Sequence, residues 1–191
     1  MSPLEIEALL LSVQVALTAI GVSLPLAIFV AWLLARKTFP GKSVLDGIVH
    51  LPLILPPVVV GYVLLVTLGR NGTIGRWLFE TFDITLAFTW KGAAVAAAVM
   101  AFPLMVRAIR LSLEAVDVGL EDAARTLGAS PVRVFATVTL PLASPGVLSG
   151  AVLGFARALG EFGATITFVS NIPGETRTLP IALYTLTQIP G

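Results

Sequence analysis

Cysteine is absent from this 191-residue chain, so no disulfide and no thiolate metal site can form, and the redox compartment stays open. Histidine occurs once, at His50; without a second histidine or a cysteine it cannot build a usual zinc site, and no metal is expected. Charge is scarce too. Asp, Glu, Lys and Arg make up 12% of the residues, about half the usual share. A net charge of +1 leaves nothing to attract nucleic acid. The opening MSPLEIEALL lacks the basic stretch of a signal peptide, and the apolar run behind it reads as a retained anchor.

What fills the chain instead is apolar: 57% of residues are hydrophobic, more than a water-soluble domain of this size can cover. Ala8–Ala35 carries no charge over 28 residues, which suffices for a first membrane span with Pro25 inside it. A second is predicted within Gly47–Gly69. Pro52, Pro56 and Pro57 lie in its first half, so that half is expected to be kinked or broken. A third, weaker run covers Gly92–Val106 and extends back over Leu86–Trp90 if Lys91 snorkels. The fourth starts near Pro145 and reaches about Phe168, with Arg157 and Glu161 inside it. After Arg177 only 14 uncharged residues remain, Thr178–Gly191, too few to span. The fold class is therefore an all-α, polytopic helix bundle of four spans and a stub, one domain over 1–191.

Orientation follows from Lys and Arg. Arg36, Lys37, Lys42, Arg107, Arg110, Arg125 and Arg133 flank one side, and Arg70, Arg76, Lys91 and Arg177 the other. Seven against four puts the N-terminus outside and the segment 114–141 in the cytoplasm.

That segment carries a helix, a turn and a second helix. Asp117 suits a helix N-cap, and Glu121 and Asp122 suit the positive end of its dipole. Val116, Leu120, Ala123, Ala124 and Leu127 recur at helical spacing, with Glu121, Asp122 and Arg125 elsewhere on the surface. Gly128 can supply the left-handed stop, and Ser130-Pro131 a cap and first-turn proline for the next helix. Pro141 and Pro145 mark where that helix meets the membrane. Interfacial helices favour Lys and Arg on their polar face; this one is mainly acidic, so its stripe is expected to dock a partner rather than lie in headgroups.

The spacing Asp122-Ala123-Ala124, then Gly128, then Val138-x-Leu140-Pro141 resembles the EAA motif of ATP-binding-cassette importer permeases, with Asp122 where Glu is usual. The stretches ARKTFPGKS (35–43), HLPLILPPVVVGY (50–62) and ARALGEFGATITFVSNIPGETRTLP (156–180) resemble membrane subunits of molybdate importers, and the last is similar more loosely to sulfate permeases. The resemblance implies a type I permease that moves molybdate, or tungstate, by alternating access; sulfate or thiosulfate is the alternative cargo. It implies that Leu120, Asp122, Ala123, Ala124, Gly128, Leu140 and Pro141 form the contact with a separate ATPase subunit. That partner would bind the ATP, and the chain itself would need no cofactor. Further implied partners are a periplasmic oxyanion-binding protein and the bilayer of the bacterial inner membrane. The family normally continues with one more span, which the stub is expected to lack. Because no internal repeat is present, two copies related by a two-fold axis are expected.

Arg157 and Glu161 stand at i, i+4 inside the fourth run, where ionisable groups are costly and point to function or to a structural lock. Either they and Thr165 belong to an anion path or its gate, or the pair ties the span to a neighbour or symmetry mate. Gly146, Gly150, Gly154 and Ala158 place small residues on one face, which reads as close packing. Asn171, Pro173 and Glu175, in a polar outer loop, are candidates for docking the binding protein. Gly41-Lys42-Ser43 is not a P-loop, because Arg36 stands where its first glycine belongs. One membrane-depth glutamate beside an arginine is not the paired constellation of an intramembrane enzyme, and a docking loop would be idle in a channel.

Overall fold

Hydrocarbon offers no hydrogen bonds, so a chain this apolar must close its backbone polar groups within helices. In the computed structural model, which describes residues 3–188, the secondary structure of those residues is entirely helical. Among the described residues, two helices are unbroken and long enough to cross a membrane: α1 (Pro3–Arg36) and α5 (Trp90–Ala115). They pack on each other through alanine-rich buried faces, Ala16, Ala19, Ala27 and Ala31 on α1 and Ala93, Ala96, Ala97 and Ala101 on α5. Such small residues let backbones approach closely.

The third run is thus a full helix that continues nine residues past the expected limit of Val106. Its charged end is stabilised along its own face, with Arg110 Nε on Glu114 Oε1 at 2.8 Å, and across to Asp46 at 3.3 Å.

The second run is not one helix. It divides into α2 (Lys42–Ile54) and α3 (Pro57–Leu68), bent by 113° about Leu55-Pro56. Pro56 and Pro57 push the residues before them to extended backbone, Leu55 at ψ 142° and Pro56 at ψ 134°, whereas Pro52 stays within α2. A short helix, α4 (Thr73–Phe82), follows where only a connection was expected.

After α5 come α6 (Val118–Thr126) and an arm over Pro131–Leu142, made of α7 (Pro131–Val134), a π-helical stretch (Phe135–Thr139) and α8 (Leu140–Leu142). The arm meets α9 (Ser144–Leu159) at 68°. The fourth run ends at Leu159 rather than Phe168: Gly160–Phe162 interrupts it, and α10 (Gly163–Val169) starts anew. Within the expected stub, α11 (Leu179–Thr187) forms; residues 189–191 lie outside the described residues.

The small-residue face of α9 packs onto α5 and α1. A Cβ at Gly146 would collide with Ser112, one at Gly150 would stand 3.2 Å from Met105 O, and one at Gly154 would lie 2.5 Å from Met105 Sδ. Gly61 plays the same part between α3 and α10, where a Cβ would come within 2.5 Å of Ala164 O. The bundle has two ends. One gathers the C-termini of α1 and α5 with α6 and the arm; the other joins Ser12 and Trp90 to the loop before α11, through Leu179 N to Ser12 Oγ at 2.6 Å and Trp90 N to Glu175 Oε1 at 3.3 Å.

Candidate functional site

The helix-turn-helix forms with the caps its residues suggest. Asp117 Oδ1 accepts from Gly119 N at 2.8 Å, and Ser130 Oγ from Arg133 N at 3.4 Å with Pro131 at the first helical position. Gly128 takes φ +87°, a left-handed conformation that a side chain would strain. Its N–H bonds Arg125 O at 2.9 Å, which closes the end of α6.

Beyond the turn an apolar edge stands open. Leu120 is 50% exposed, Leu127 89% and Val132 78%. Ala123 is exposed and Ala124 half-buried beside them. Asp122, also exposed, spends a carboxylate oxygen on Arg125 Nη1 at 2.7 Å. Leu140 is half-buried and Pro141 exposed on the arm. Val116 departs from the expected stripe: it is buried, because it caps the C-terminus of α5.

Glu121 departs further. Expected on the surface, it is 5% exposed and at the centre of a polar node. Arg36 Nη2, from the last residue of α1, reaches Glu121 Oε1 at 2.9 Å and donates to Val116 O at 2.9 Å. Thr139 Oγ1 donates to Glu121 Oε1 at 2.9 Å, and Arg125 Nη2 stands 3.5 Å from Oε2. Two adjacent acids on an acidic helix look alike in composition. The distinction rests on Arg36, 85 residues earlier, and on the π-helical stretch that turns Thr139 inward, and neither follows from spacing within the motif.

Arg157 and Glu161 do pair, with Arg157 Nη1 on Glu161 Oε2 at 2.6 Å, but not along one helix. Arg157 is on α9 and Glu161 lies in the break, where Oε1 accepts from Ala164 N at 2.7 Å and starts α10. The pair spans a discontinuity in its own chain. Glu161 is 2% exposed, whereas the Arg157 side chain is 26% exposed. Thr165, a candidate for the path or its gate, is buried on α10, which packs against α3 and α5.

The loop 170–178 is held internally. Asn171 Nδ2 donates to Thr185 Oγ1 at 2.9 Å, and its Oδ1 accepts from Arg177 Nε at 2.8 Å. Glu175 is bonded to Trp90 N, so of the three docking candidates only Pro173 is freely presented. His50, at 2.8 Å from Asp46 O, sits on α2 well apart from these groups in sequence and in no cluster of metal-binding side chains among the described residues.

Three comparisons bear on this arrangement. Residues 23–188 match the family described as the binding-protein-dependent transport system inner membrane component. The chain is 65% identical over 188 residues to the molybdenum transport system permease protein ModB of Haemophilus influenzae, covering 98% of this chain and 82% of that protein. Against the ModB of Escherichia coli K12 the identity is 67% over 187 residues, with the same coverage. A crystal structure of an amino acid ABC transporter with histidines shares the fold, at TM-score 0.64 and 21% identity, over 98% of this chain and 79% of that one.

Proposed function

The chain belongs to the family of binding-protein-dependent transport system inner membrane components, and from that membership we propose how its geometry serves transport. It is a multi-pass membrane protein and the permease subunit of an ATP-driven molybdate importer, a transport subunit rather than an enzyme. The observation that carries the cargo is the likeness to ModB proteins along nearly the whole chain.

The end bearing α6 faces the cytoplasm and the N-terminus lies outside, in keeping with the excess of Lys and Arg at the α6 end. Leu120, Ala123, Leu127 and Val132 enter a cleft on the partner ATPase, which binds the nucleotide; Asp122, Gly128, Leu140 and Pro141 shape that contact. Support for this comes from the apolar edge left uncovered by the chain's own residues. A second copy completes the path, since four or five spans are too few to wrap a gated path alone. The binding protein delivers the oxyanion at the opposite end, near Pro173, and carries most of the selectivity. ATP closing the motor pair brings the two α6 helices together, and the bundles rock between inward-open and outward-open states. Arg157, partly exposed at the break, is the cation best placed to meet a passing dianion, and a weak site suffices there.

The test is uptake into vesicles containing the permease and its ATPase, with an external molybdate-binding protein. ATP-dependent accumulation of molybdate, and little of sulfate, is expected. Failure to accumulate molybdate, with an intact ATPase bound, refutes the reading.

A further inference from the structure

Docking explains what α6 presents to a partner but not how its movement reaches the membrane helices. A nine-residue helix between loops, Val118–Thr126, could tilt on its own when pushed. Its link to the bundle has to be a contact that resists sliding, and the exposed apolar edge faces the wrong way for that.

The node around Glu121 has the required form. One carboxylate, 5% exposed, receives Arg36 from the end of α1, Thr139 from the arm and Arg125 from α6 itself. The same Arg36 guanidinium holds Val116 O, the carbonyl of the residue whose N–H closes α5 on Leu113 O. Three elements that share no continuous helix are thereby fixed to α6 by directional, charge-assisted bonds, which are short and fix orientation as well as distance. Low exposure keeps water and salt from loosening them. The guanidinium's Nε is buried without a hydrogen-bond partner, a donor free to take an acceptor in a second arrangement of the node.

We propose that Glu121 is the positioning residue of energy coupling: through Arg36 and Thr139 it makes α6, α1, the end of α5 and the arm move as one piece when the ATPase displaces α6. This deepens the permease reading and rests on it. Glu121 is placed away from the docking edge, and its role is to convert a push on α6 into displacement of the spans.

The experiment separates transmission from docking and from folding. Glu121→Gln and Glu121→Ala are co-purified with the ATPase and reconstituted with the binding protein, and molybdate uptake and ATP hydrolysis are measured on the same vesicles. Both variants are expected to retain the ATPase in the complex and to hydrolyse ATP, while molybdate moved per ATP falls about tenfold for Glu121→Ala and less for Glu121→Gln. Thr139→Val, which removes one of the bonds, is expected to fall between wild type and Glu121→Ala. Unchanged uptake per ATP in Glu121→Ala overturns the proposal. So does loss of ATPase binding or hydrolysis in proportion to uptake, which would assign Glu121 to docking or folding. If the wild-type complex itself fails to import molybdate, the permease reading fails instead, and the two failures are distinguishable.

Discussion

Removing the carboxylate of Glu161 should destabilise the chain at a site where sequence alone left an ion path and a structural lock both open. Glu161→Ala deletes two interactions at once: the bond from Ala164 N at 2.7 Å that starts α10, and the ion pair with Arg157 at 2.6 Å. A hydrogen bond to a charged group contributes about 1.5–3 kcal/mol. Breaking a buried pair by removing one partner costs about 3–5 kcal/mol. The Arg157 side chain is 26% exposed, so water recovers part of that loss. The expected cost is about 3 kcal/mol. Glu161→Gln keeps an acceptor for Ala164 N and should cost about half as much. Arg157→Met leaves a buried carboxylate with one bond, and combining it with Glu161→Gln should recover at least about 1 kcal/mol relative to the sum of the two. Chemical unfolding of the purified protein in detergent, followed by tryptophan fluorescence, measures all four variants. Additivity of Arg157→Met and Glu161→Gln within about 0.5 kcal/mol would refute the coupling. Uptake gives the second half of the test: unaltered transport by Glu161→Gln at normal expression removes the glutamate's charge from the ion path.

Gly61→Ala would place a Cβ 2.5 Å from Ala164 O and 2.9 Å from Thr167 Cβ, so α3 and α10 must part; a loss of about 1–3 kcal/mol is expected, read as a lowered melting temperature, and an unchanged one would deny their contact. Gly128→Pro cannot adopt φ +87° and removes the donor to Arg125 O; it should abolish uptake and ATPase capture while leaving membrane insertion intact, and normal uptake would count heavily against the docking model. Gly128→Ala meets open space but keeps the strain, so a milder loss of about 1 kcal/mol is expected in the unfolding assay. Ser170 sits at φ 65°, ψ −160°, a region that belongs to glycine, and Ser170→Gly should raise the melting temperature by about 2–4 °C; a fall would show that its neighbours, not its own backbone, set the strain.

What could be read along the chain was what depends on near neighbours. The caps at Asp117 and Ser130, the left-handed Gly128 and the break at Pro56-Pro57 of the second run all follow from local rules, and each is found. The small-residue face of α9 was legible because four-residue spacing puts those positions on one side. Properties that need two distant segments were not. Glu121 looked like Asp122 until Arg36 and Thr139 were brought to it. Arg157 and Glu161 were rightly paired but assigned to one continuous helix, because a hydrophobic run gives no sign that Gly160 ends a helix three residues before another begins. The same blindness ended the third run at the charge on Arg107, when i, i+4 pairing of Arg110 with Glu114 carries the helix past the apolar limit.

The two breaks and the Glu121 node together divide the molecule mechanically. The long helices α1 and α5 are packed on each other, α9 is fitted to both through its glycines, and the node ties α6 to this body. The shorter helices α3 and α10 each lie beyond a break, and they meet at Gly61 and Ala164 and again at Pro57 and Gly163. A displacement of α6 therefore reaches α1 and α5 directly but reaches α3 chiefly through α10 and the turn at Gly160–Phe162. Glu161 sits in that turn and grips both of its sides. The glutamate that sequence reasoning assigned to the ion or to a static lock thus sits at the junction between α9, which belongs to the packed body, and α10. Its charge need not touch the cargo for its loss to slow transport, which is why stability and uptake have to be measured on the same variants.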